Sequence, residues 1–392
     1  MTKVLVLDGR QRSALAVVRS LGRRGVEVHV ADTETPSLAG VSRYAKSQLL
    51  YPDPQSQPLQ FVTWVRETIR SHNIERVFPA TDVTTMLLAQ ARDGDDPHRI
   101  VCAPAAAYEC VTDKGRLLEI ARRCGVPAPA TVAAASLREI EDYLVGARFP
   151  LVLKPARSRV LVGGRIVDTS VYVARSAAEA LSYARAQRWI GVIPCLLQEF
   201  VPGFGAGVFA LYCGGAPVAW FSHRRVREKP PQGGVSVLSE SVAVDPQLQS
   251  IAQRLLSEAQ WEGAAMVEFR VDPQGTPYLM EVNGRLWGSL QLAIDSGIDF
   301  PWLMLCASQG QPVRAVRDYR LQRRLRWFMG DVDNLLLELR GRGKARTVGQ
   351  RAAALLSFAG TTFDARARNE VLRAADPWPA WFELRRWLRL SA

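Results

Sequence analysis

Two carboxylates and one amide, spaced along the arms of a tight turn, are the groups in this chain best arranged to do chemistry. Met266-Val267-Glu268-Phe269-Arg270-Val271 and Thr276-Pro277-Tyr278-Leu279-Met280-Glu281-Val282-Asn283-Gly284-Arg285 flank the tetrapeptide Asp272-Pro273-Gln274-Gly275. Pro and Gly at those positions predict a reverse turn, so the two arms pair antiparallel. Pairing sets Glu281 opposite Glu268, and the alternation of side chains along a strand puts Asn283 on the same face. The neighbouring Met266, Val267, Phe269, Leu279, Met280 and Val282 are apolar, which predicts a half-buried hairpin. Two facing carboxylates in such a place repel each other. A hard divalent cation relieves that repulsion, because Mg2+ accepts carboxylate and amide oxygens together with phosphate oxygens. Arg285, two residues beyond Asn283, brings a fixed positive charge within reach.

A second set of groups lies upstream. Of the fifty basic residues only six are lysines, at 3, 46, 114, 154, 229 and 344. Two of these stand where chemistry is plausible on position alone: Lys114 follows Thr112-Asp113 at the start of a helical run, and Lys154 ends the apolar strand Phe149-Pro150-Leu151-Val152-Leu153. Leu196-Leu197-Gln198-Glu199-Phe200-Val201 reads as a strand broken by Pro202-Gly203. His223, Arg224, Arg225 and Arg227 open a polar loop reaching Val235, with Gly233, Gly234 and Ser236 behind them. Bidentate arginine suits a carboxylate.

The elements carrying these groups follow from periodicity. Strand Lys3 to Leu7, helix Ser13 to Arg24 and strand Glu27 to Ala31 form a βαβ opening of doubly wound type. Asp8-Gly9-Arg10 at the first strand end is not the G-x-G-x-x-G pattern, which disfavours a dinucleotide site. Further α/β alternation continues to about residue 110, with a last strand near Ile100 to Ala103. Beyond it come a helix ending at Cys124-Gly125-Val126-Pro127, a Ser-capped helix from Ser136 to Val145, the Lys154 strand and a loop from Ala156 to Arg165. A strand Val167 to Val173, a helix to about Arg188, strands Val208 to Tyr212 and Val218 to His223, and a helix Leu248 to Glu258 lead into the acidic hairpin.

In this order, Lys114, Lys154, the strand hinge at Gln198 to Val201 and the cluster Glu268, Glu281, Asn283 and Arg285 resemble the ATP-grasp superfamily. The resemblance spans roughly residues 1 to 310, and Gly284-Arg285-Leu286-Trp287-Gly288-Ser289-Leu290 is similar to its bacterial carboxylate-amine ligase branch. It implies an α/β chain in three parts. A doubly wound pre-ATP-grasp domain covers 1–110, an ATP-grasp α+β fold covers 111–313, and a basic, helical, Trp/Arg-rich extension covers 314–392. It implies that Lys114 and Lys154 meet the nucleotide phosphates, that the hinge Gln198, Glu199, Phe200 and Val201 meets adenine through backbone groups, with the Glu199 carbonyl and the Val201 N–H as contacts, and that His223 joins the nucleotide site. It also implies that Glu268, Glu281 and Asn283 hold Mg2+ or Mn2+, that Arg285 is catalytic, and that Arg225, Arg227 and Ser236 face substrate. The implied reaction is ATP-dependent: a carboxylate becomes an acyl phosphate, an amine captures it, and ADP and phosphate leave. Two departures stand out. Gly203 to Val208 offers no acidic residue for the ribose hydroxyls, and the 156 to 165 loop is poorer in glycine than is usual in the superfamily. A nucleotide-binding regulatory or scaffold protein is the alternative reading.

Composition narrows the partners. The formal charge is +12, but the segment from Arg314 onward alone holds seventeen Lys plus Arg against eight Asp plus Glu, a net of +9. The excess is mostly in the tail and forms no recognised nucleic-acid reader, so nucleic acid is not expected. Arg320 to Phe328 and Trp378 to Leu388 mix Trp with Arg on amphipathic stretches, which suits packing on the host, a partner surface or an anionic membrane. A homodimer is left open. Six scattered cysteines without C-x-x-C spacing read as reduced core thiols, and four scattered histidines argue against zinc. No long apolar run and no signal-like N-terminus point to a cytoplasmic protein.

Overall fold

The computed structural model describes residues 2–92, 98–230, 234–340 and 347–391. Among the described residues, three larger sheets and a two-stranded hairpin organise the chain. The first is parallel, in the order β3-β2-β1-β4, with β1 (Lys3–Val6), β2 (Glu27–Asp32), β3 (Ala45–Leu50) and β4 (Arg76–Phe78). Helix α1 (Arg12–Gly22) links β1 to β2 and α2 (Pro58–His72) links β3 to β4, with α3 (Asp82–Gln90) after β4, while β2 and β3 are joined without a helix. Ile100 adds only an isolated bridge to Val77, in place of a full strand. Two linking helices follow, α4 (Ala105–Thr112) and α5 (Lys114–Arg123).

The second sheet is antiparallel, in the order β5-β10-β6-β9. It comprises β5 (Thr131–Ala134), β6 (Leu151–Pro155), β9 (Tyr172–Ala174) and β10 (Cys195–Glu199), covered by α6 (Leu137–Leu144) and α7 (Ala177–Ala186). Ile140, Leu144, Leu153, Ala180, Trp189 and Leu197 give this lobe a core of its own. The expected loop after Lys154 is instead a hairpin of β7 (Arg159–Val162) and β8 (Arg165–Asp168). Gly163 and Gly164 turn it at φ 56° and 79°, a left-handed conformation that glycine adopts without strain.

The third sheet has seven strands, ordered β15-β14-β11-β12-β13-β16-β17. Its members are β11 (Phe204–Cys213), β12 (Ala216–Lys229), β13 (Val235–Val242), β14 (Gly263–Val271), β15 (Pro277–Asn283), β16 (Arg324–Arg326) and β17 (Ala367–Asn369). Helices α8 (Pro246–Glu258), α9 (Leu290–Ser296) and α10 (Phe300–Ser308) complete this region, and α11 (Phe328–Arg340), α12 (Val348–Thr362) and α13 (Trp378–Ser391) belong to the tail. One face of this sheet shares a core with α1 and the first sheet, through Phe209, Phe221, Trp287, Leu290 and Phe300 against Leu15, Val18 and Leu21.

Two expectations change here. The sequence predicts a polar loop from Arg224 to Val235, yet β12 runs on to Lys229 and β13 starts at Val235. The charged residues of that stretch resemble a loop only until their partners are seen: Arg224 binds Glu240, Arg227 binds Asp331, and Lys229 binds Asp333. Among its described residues the tail is helical, as expected, and also supplies β16 and β17. It is clamped to the first sheet's helix, where the fully buried Arg19 donates to Asp376 Oδ2 at 2.8 Å and to the carbonyls of Glu370, Val371 and Asp376. Asp376 also accepts from Ser42 Oγ and Arg43 N. No helix among the described residues is long and apolar enough to cross a membrane.

Candidate functional site

The acidic hairpin forms as its turn chemistry predicts. Gly275 N donates to Asp272 O and Asp272 N to Thr276 O, with Gly275 at φ 87°. The register pairs Glu268 with Glu281 and Met266 with Asn283. A bulge beyond Glu268 adds Met280 to β15, sharpening the local twist next to the carboxylates. Asn283 Nδ2 lies 3.1 Å from Glu268 Oε1 and 3.1 Å from Glu281 Oε1, so one amide bridges both carboxylates. Burial first, and the Glu281 carboxylate second, push the Glu268 carboxyl up to about 7. Among the described residues no three His, Cys, Asp or Glu side chains form a metal cluster. A cation here would depend on two carboxylates with Asn283 turned to offer its oxygen. That all-oxygen donor set, and the repulsion recorded at Glu268, fit a hard divalent ion.

Both lysines reach this hairpin by way of one backbone contact. Asp113 caps α5 by accepting from Gly115 N and Arg116 N, and Lys114 N donates to Ala156 O at 2.9 Å, one residue past the end of β6. The start of α5 is thereby tied to the strand end that carries Lys154. Lys114 Nζ donates to Ser158 Oγ at 3.1 Å. Both lysines are buried and both have lowered pKa values, Lys154 to about 8. Burial is the main cause for each; the charge of Lys114 adds to it at Lys154, while Glu281 pulls both back up. Two buried cations and two half-buried carboxylates thus share one field, in which lysine opposes lysine and carboxylate opposes carboxylate, with Glu281, Asn283 and Arg225 offsetting part of that repulsion.

Arg285 closes the other side. Its Nε donates to Asp82 Oδ1 at 2.9 Å, and Asp82 opens α3 from the first sheet. Tyr108 OH donates to Asp82 O. The wall formed by Asp82, Lys114, Ser158, Glu281 and Asn283 is therefore built from all three sheets' regions. Gly284 is required at the strand end, since a Cβ there would lie 2.6 Å from the Trp261 ring and 3.1 Å from Tyr108.

At the hinge, Gln198 is fully buried and its Nε2 donates to Thr131 Oγ1 at 2.8 Å, so this side chain fastens β5 and does not line the cleft. Glu199 N is bound to Ala130 O, and the Val201 N–H has no hydrogen-bond partner among the described residues. Arg270 fixes the hinge from β14: its Nε donates to Val201 O at 2.6 Å, its Nη2 to Gly203 O at 2.8 Å, and its guanidinium lies 5.4 Å from the Phe200 ring centre.

On β12, His223 and Arg225 line a second wall with Glu228, Met266 and Glu268. Arg225 lies 3.1 Å from Glu228 and 3.7 Å from Glu268. His223 stacks on Phe209 and shares a hydrogen bond with Ser289 Oγ at 3.0 Å. Burial, reinforced by Arg225, lowers its pKa to about 3, which favours the neutral imidazole. Arg227 does not join this wall. A bulge between Arg225 and Arg227 reverses the alternation, and Arg227 lies bidentate on Asp331 at 2.8 and 2.6 Å. Ser236 turns its hydroxyl to Ser239 Oγ at 2.7 Å, also away from the wall. Gly233 lies outside the described residues.

Asp82, Ser158, Arg270 and Ser289 were not anticipated. Asp82 had a signal, because it follows a parallel strand's C-terminal end, where open α/β sheets place ligands. Arg270 had none beyond its place in the hairpin.

Comparison with known proteins gives a consistent picture. Residues 194–330 match a family described as ATP-grasp in the biosynthetic pathway with Ter operon. A biotin carboxylase from Campylobacter jejuni superposes with a TM-score of 0.66 at 17% identity, covering 83% of this chain and 74% of its own. An L-amino acid ligase from Bacillus licheniformis gives 0.62 at 18% identity, covering 81% and 78%. N5-carboxyaminoimidazole ribonucleotide synthetase from Thermus thermophilus gives 0.60 at 18% identity, covering 82% and 81%. Among curated sequences, the carbamoyl phosphate synthase large chain of Pyrobaculum aerophilum is 27% identical over 198 residues, which is 48% of this chain and only 18% of that much longer relative. The chain has the ATP-grasp fold, and its residues 194–330 answer to an ATP-grasp family.

Proposed function

We propose that the chain is an ATP- and Mg2+-dependent ligase that activates a carboxylate as an acyl phosphate and joins it to an amine. The observation carrying this reading is the convergence of two buried lysines, Lys114 and Lys154, with the facing, half-buried carboxylates Glu268 and Glu281 and the Asn283 amide that bridges them. The phosphates of ATP answer the two lysines, which bind anions as point charges. Glu268, Glu281 and the oxygen of Asn283 would hold Mg2+ or Mn2+, which when bound neutralises phosphate charge. Adenine fits the hinge, with the Val201 N–H as a donor and Arg270 positioning the backbone around it. Arg285, oriented by Asp82, stabilises charge on the transferring phosphoryl group. Arg225 receives the substrate carboxylate beside neutral His223. Arg227 and Ser236 drop out of the substrate set.

In the first step a carboxylate oxygen attacks the γ-phosphorus and the bond to the β-phosphate oxygen breaks, releasing ADP. In the second, the amine nitrogen attacks the acyl carbon, the C–O bond to phosphate breaks, and the amine loses a proton. ADP release measured over a panel of acid and amine pairs tests this. Turnover should need both substrates and a divalent cation, and Glu281→Gln should lower it by more than about a thousandfold with the fold intact. Tight ATP binding without turnover on any pair would favour the non-catalytic nucleotide-binding reading.

A further inference from the structure

Strand β12 breaks its own alternation where it forms the wall with His223 and Glu268. Arg225 and Glu228 stand three residues apart, a spacing that puts side chains on opposite faces of a regular strand. Both line the same wall all the same, 3.1 Å from each other. The reversal comes from two register shifts, one on each side of Arg227. The first leaves Val226 of β12 without a place in the pairing; the second leaves out Val237 of β13, because Arg227 pairs with Leu238 and Glu228 with Ser236. Bulges of this kind re-aim side chains next to active sites.

Both irregularities are gripped by the tail. Arg227 lies bidentate on Asp331 of α11, and its Nη1 donates to Ser357 Oγ and Thr361 Oγ1 of α12, each at 3.0 Å. Asp331 is fixed in turn by Arg326 Nε of β16 at 2.6 Å. At the second shift, the Val237 carbonyl accepts from Trp327 N at 2.8 Å. Lys229, at the end of β12, binds Asp333, which also accepts from Trp387 Nε1 of α13 at 2.7 Å. Arg225 has no such anchor printed into its own surroundings: its guanidinium meets Glu228 at 3.1 Å and Glu268 at 3.7 Å, and its direction is set by the backbone beneath it. We infer that the tail positions the substrate wall. By holding Arg227 on the far face it turns Arg225 and Glu228 onto the near one, and so aims the guanidinium that receives the substrate carboxylate. Arg227, Asp331, Ser357 and Thr361 are positioning residues in this account, which rests on the ligase reading and gives the tail a part in it.

ADP release with hydroxylamine as the nucleophile tests it, since its nitrogen attacks the acyl carbon of an acyl phosphate to give a hydroxamate and phosphate. Acetate, succinate, benzoate and the common amino acids serve as acids, and KM is measured separately for the best acid and for ATP. Arg227→Met leaves Asp331 its bond to Arg326, and should raise the acid KM by more than about tenfold while the ATP KM moves less than about threefold. Arg225→Ala should raise the acid KM at least as far. Adding Arg227→Met to Arg225→Ala should then change it no further, because the anchor acts only through that guanidinium. The pair Ser357→Ala and Thr361→Val lies wholly in the tail and should give the same selective rise in smaller measure, which decides the matter if Arg227→Met fails to fold. An acid KM unmoved in these variants, equal rises for acid and ATP, or additive effects in the Arg225→Ala background would overturn the inference and leave the ligase reading standing. A parent without turnover on any of these acids would overturn both.

Discussion

The cleft and the tail clamp are both buried and both charged, yet they are built on opposite principles. In the cleft, Lys114 sits in the field of Lys154, and Glu268 opposite Glu281, so like faces like. In the clamp, Arg19 meets Asp376 and four of its hydrogen bonds are made, while Asp331 takes both Arg227 and Arg326. A saturated ion pair has nothing left to bind. An unsaturated one stores a demand that only an incoming anion or cation meets. The difference separates a place that holds the molecule together from a place kept ready for a ligand, and basic composition alone tells nothing about which is which.

The sharpest way to break this comparison is to delete one partner in each. Asp376→Ala strands a buried guanidinium and should cost about 3–5 kcal/mol in urea unfolding. Lys154→Met removes a desolvated charge and should instead stabilise by about 1–3 kcal/mol while weakening nucleotide binding. Equal losses at both positions would erase the distinction.

A pH titration sharpens it next. The folded pKa of Lys154 is lowered to about 8 from 10.5, so between those values the unfolded chain binds the extra proton and stability rises with pH. Glu383 in the tail behaves in the opposite sense. Burial raises it from 4.5 to about 7 despite the hydrogen bond from Trp327 Nε1, so the folded chain holds the proton and stability falls as pH climbs through that window. Melting curves of the parent against Lys154→Met and Glu383→Gln isolate each slope, which should vanish in the matching variant and persist in the other.

The smallest effect concerns the hinge. Arg270→Ala frees the Val201 and Gly203 carbonyls and should raise the dissociation constant for ATP by roughly tenfold with little change in melting temperature. Unaltered affinity would mean that the hinge keeps its shape without this anchor. A close backbone contact limits that freedom, because Gly203, at φ 116°, has no room for a Cβ against Val271 O.

Local features were legible from sequence, and long-range ones were not. Asp272-Pro273-Gln274-Gly275 and the alternating arms beside it specify their own pairing, so Glu268, Glu281 and Asn283 were found together. Lys114 and Lys154 converge through the Lys114 N to Ala156 O bond, which no periodicity announces; the resemblance to a family brought them together first. Arg227 was misplaced because one extra residue in β12 reverses the face of everything after it. The clamp was invisible because Arg19 and Asp376 are 357 residues apart in the chain. The polar run from Arg224 to Lys229 looked like a loop because its carboxylate partners, Glu240, Asp331 and Asp333, lie in later elements.

Strand β16 pairs with β13 over Leu238 to Glu240, and β17 pairs with β16 in turn. A version of the protein shortened near residue 314 would therefore leave β13 with an open row of unpaired amides and carbonyls, next to Leu325's vacated place in the core. Such a row is a template for any extended chain, including another copy in the same state. The shortened protein is expected to precipitate during preparation, and its silence in an assay would say nothing about whether the tail takes part in the reaction.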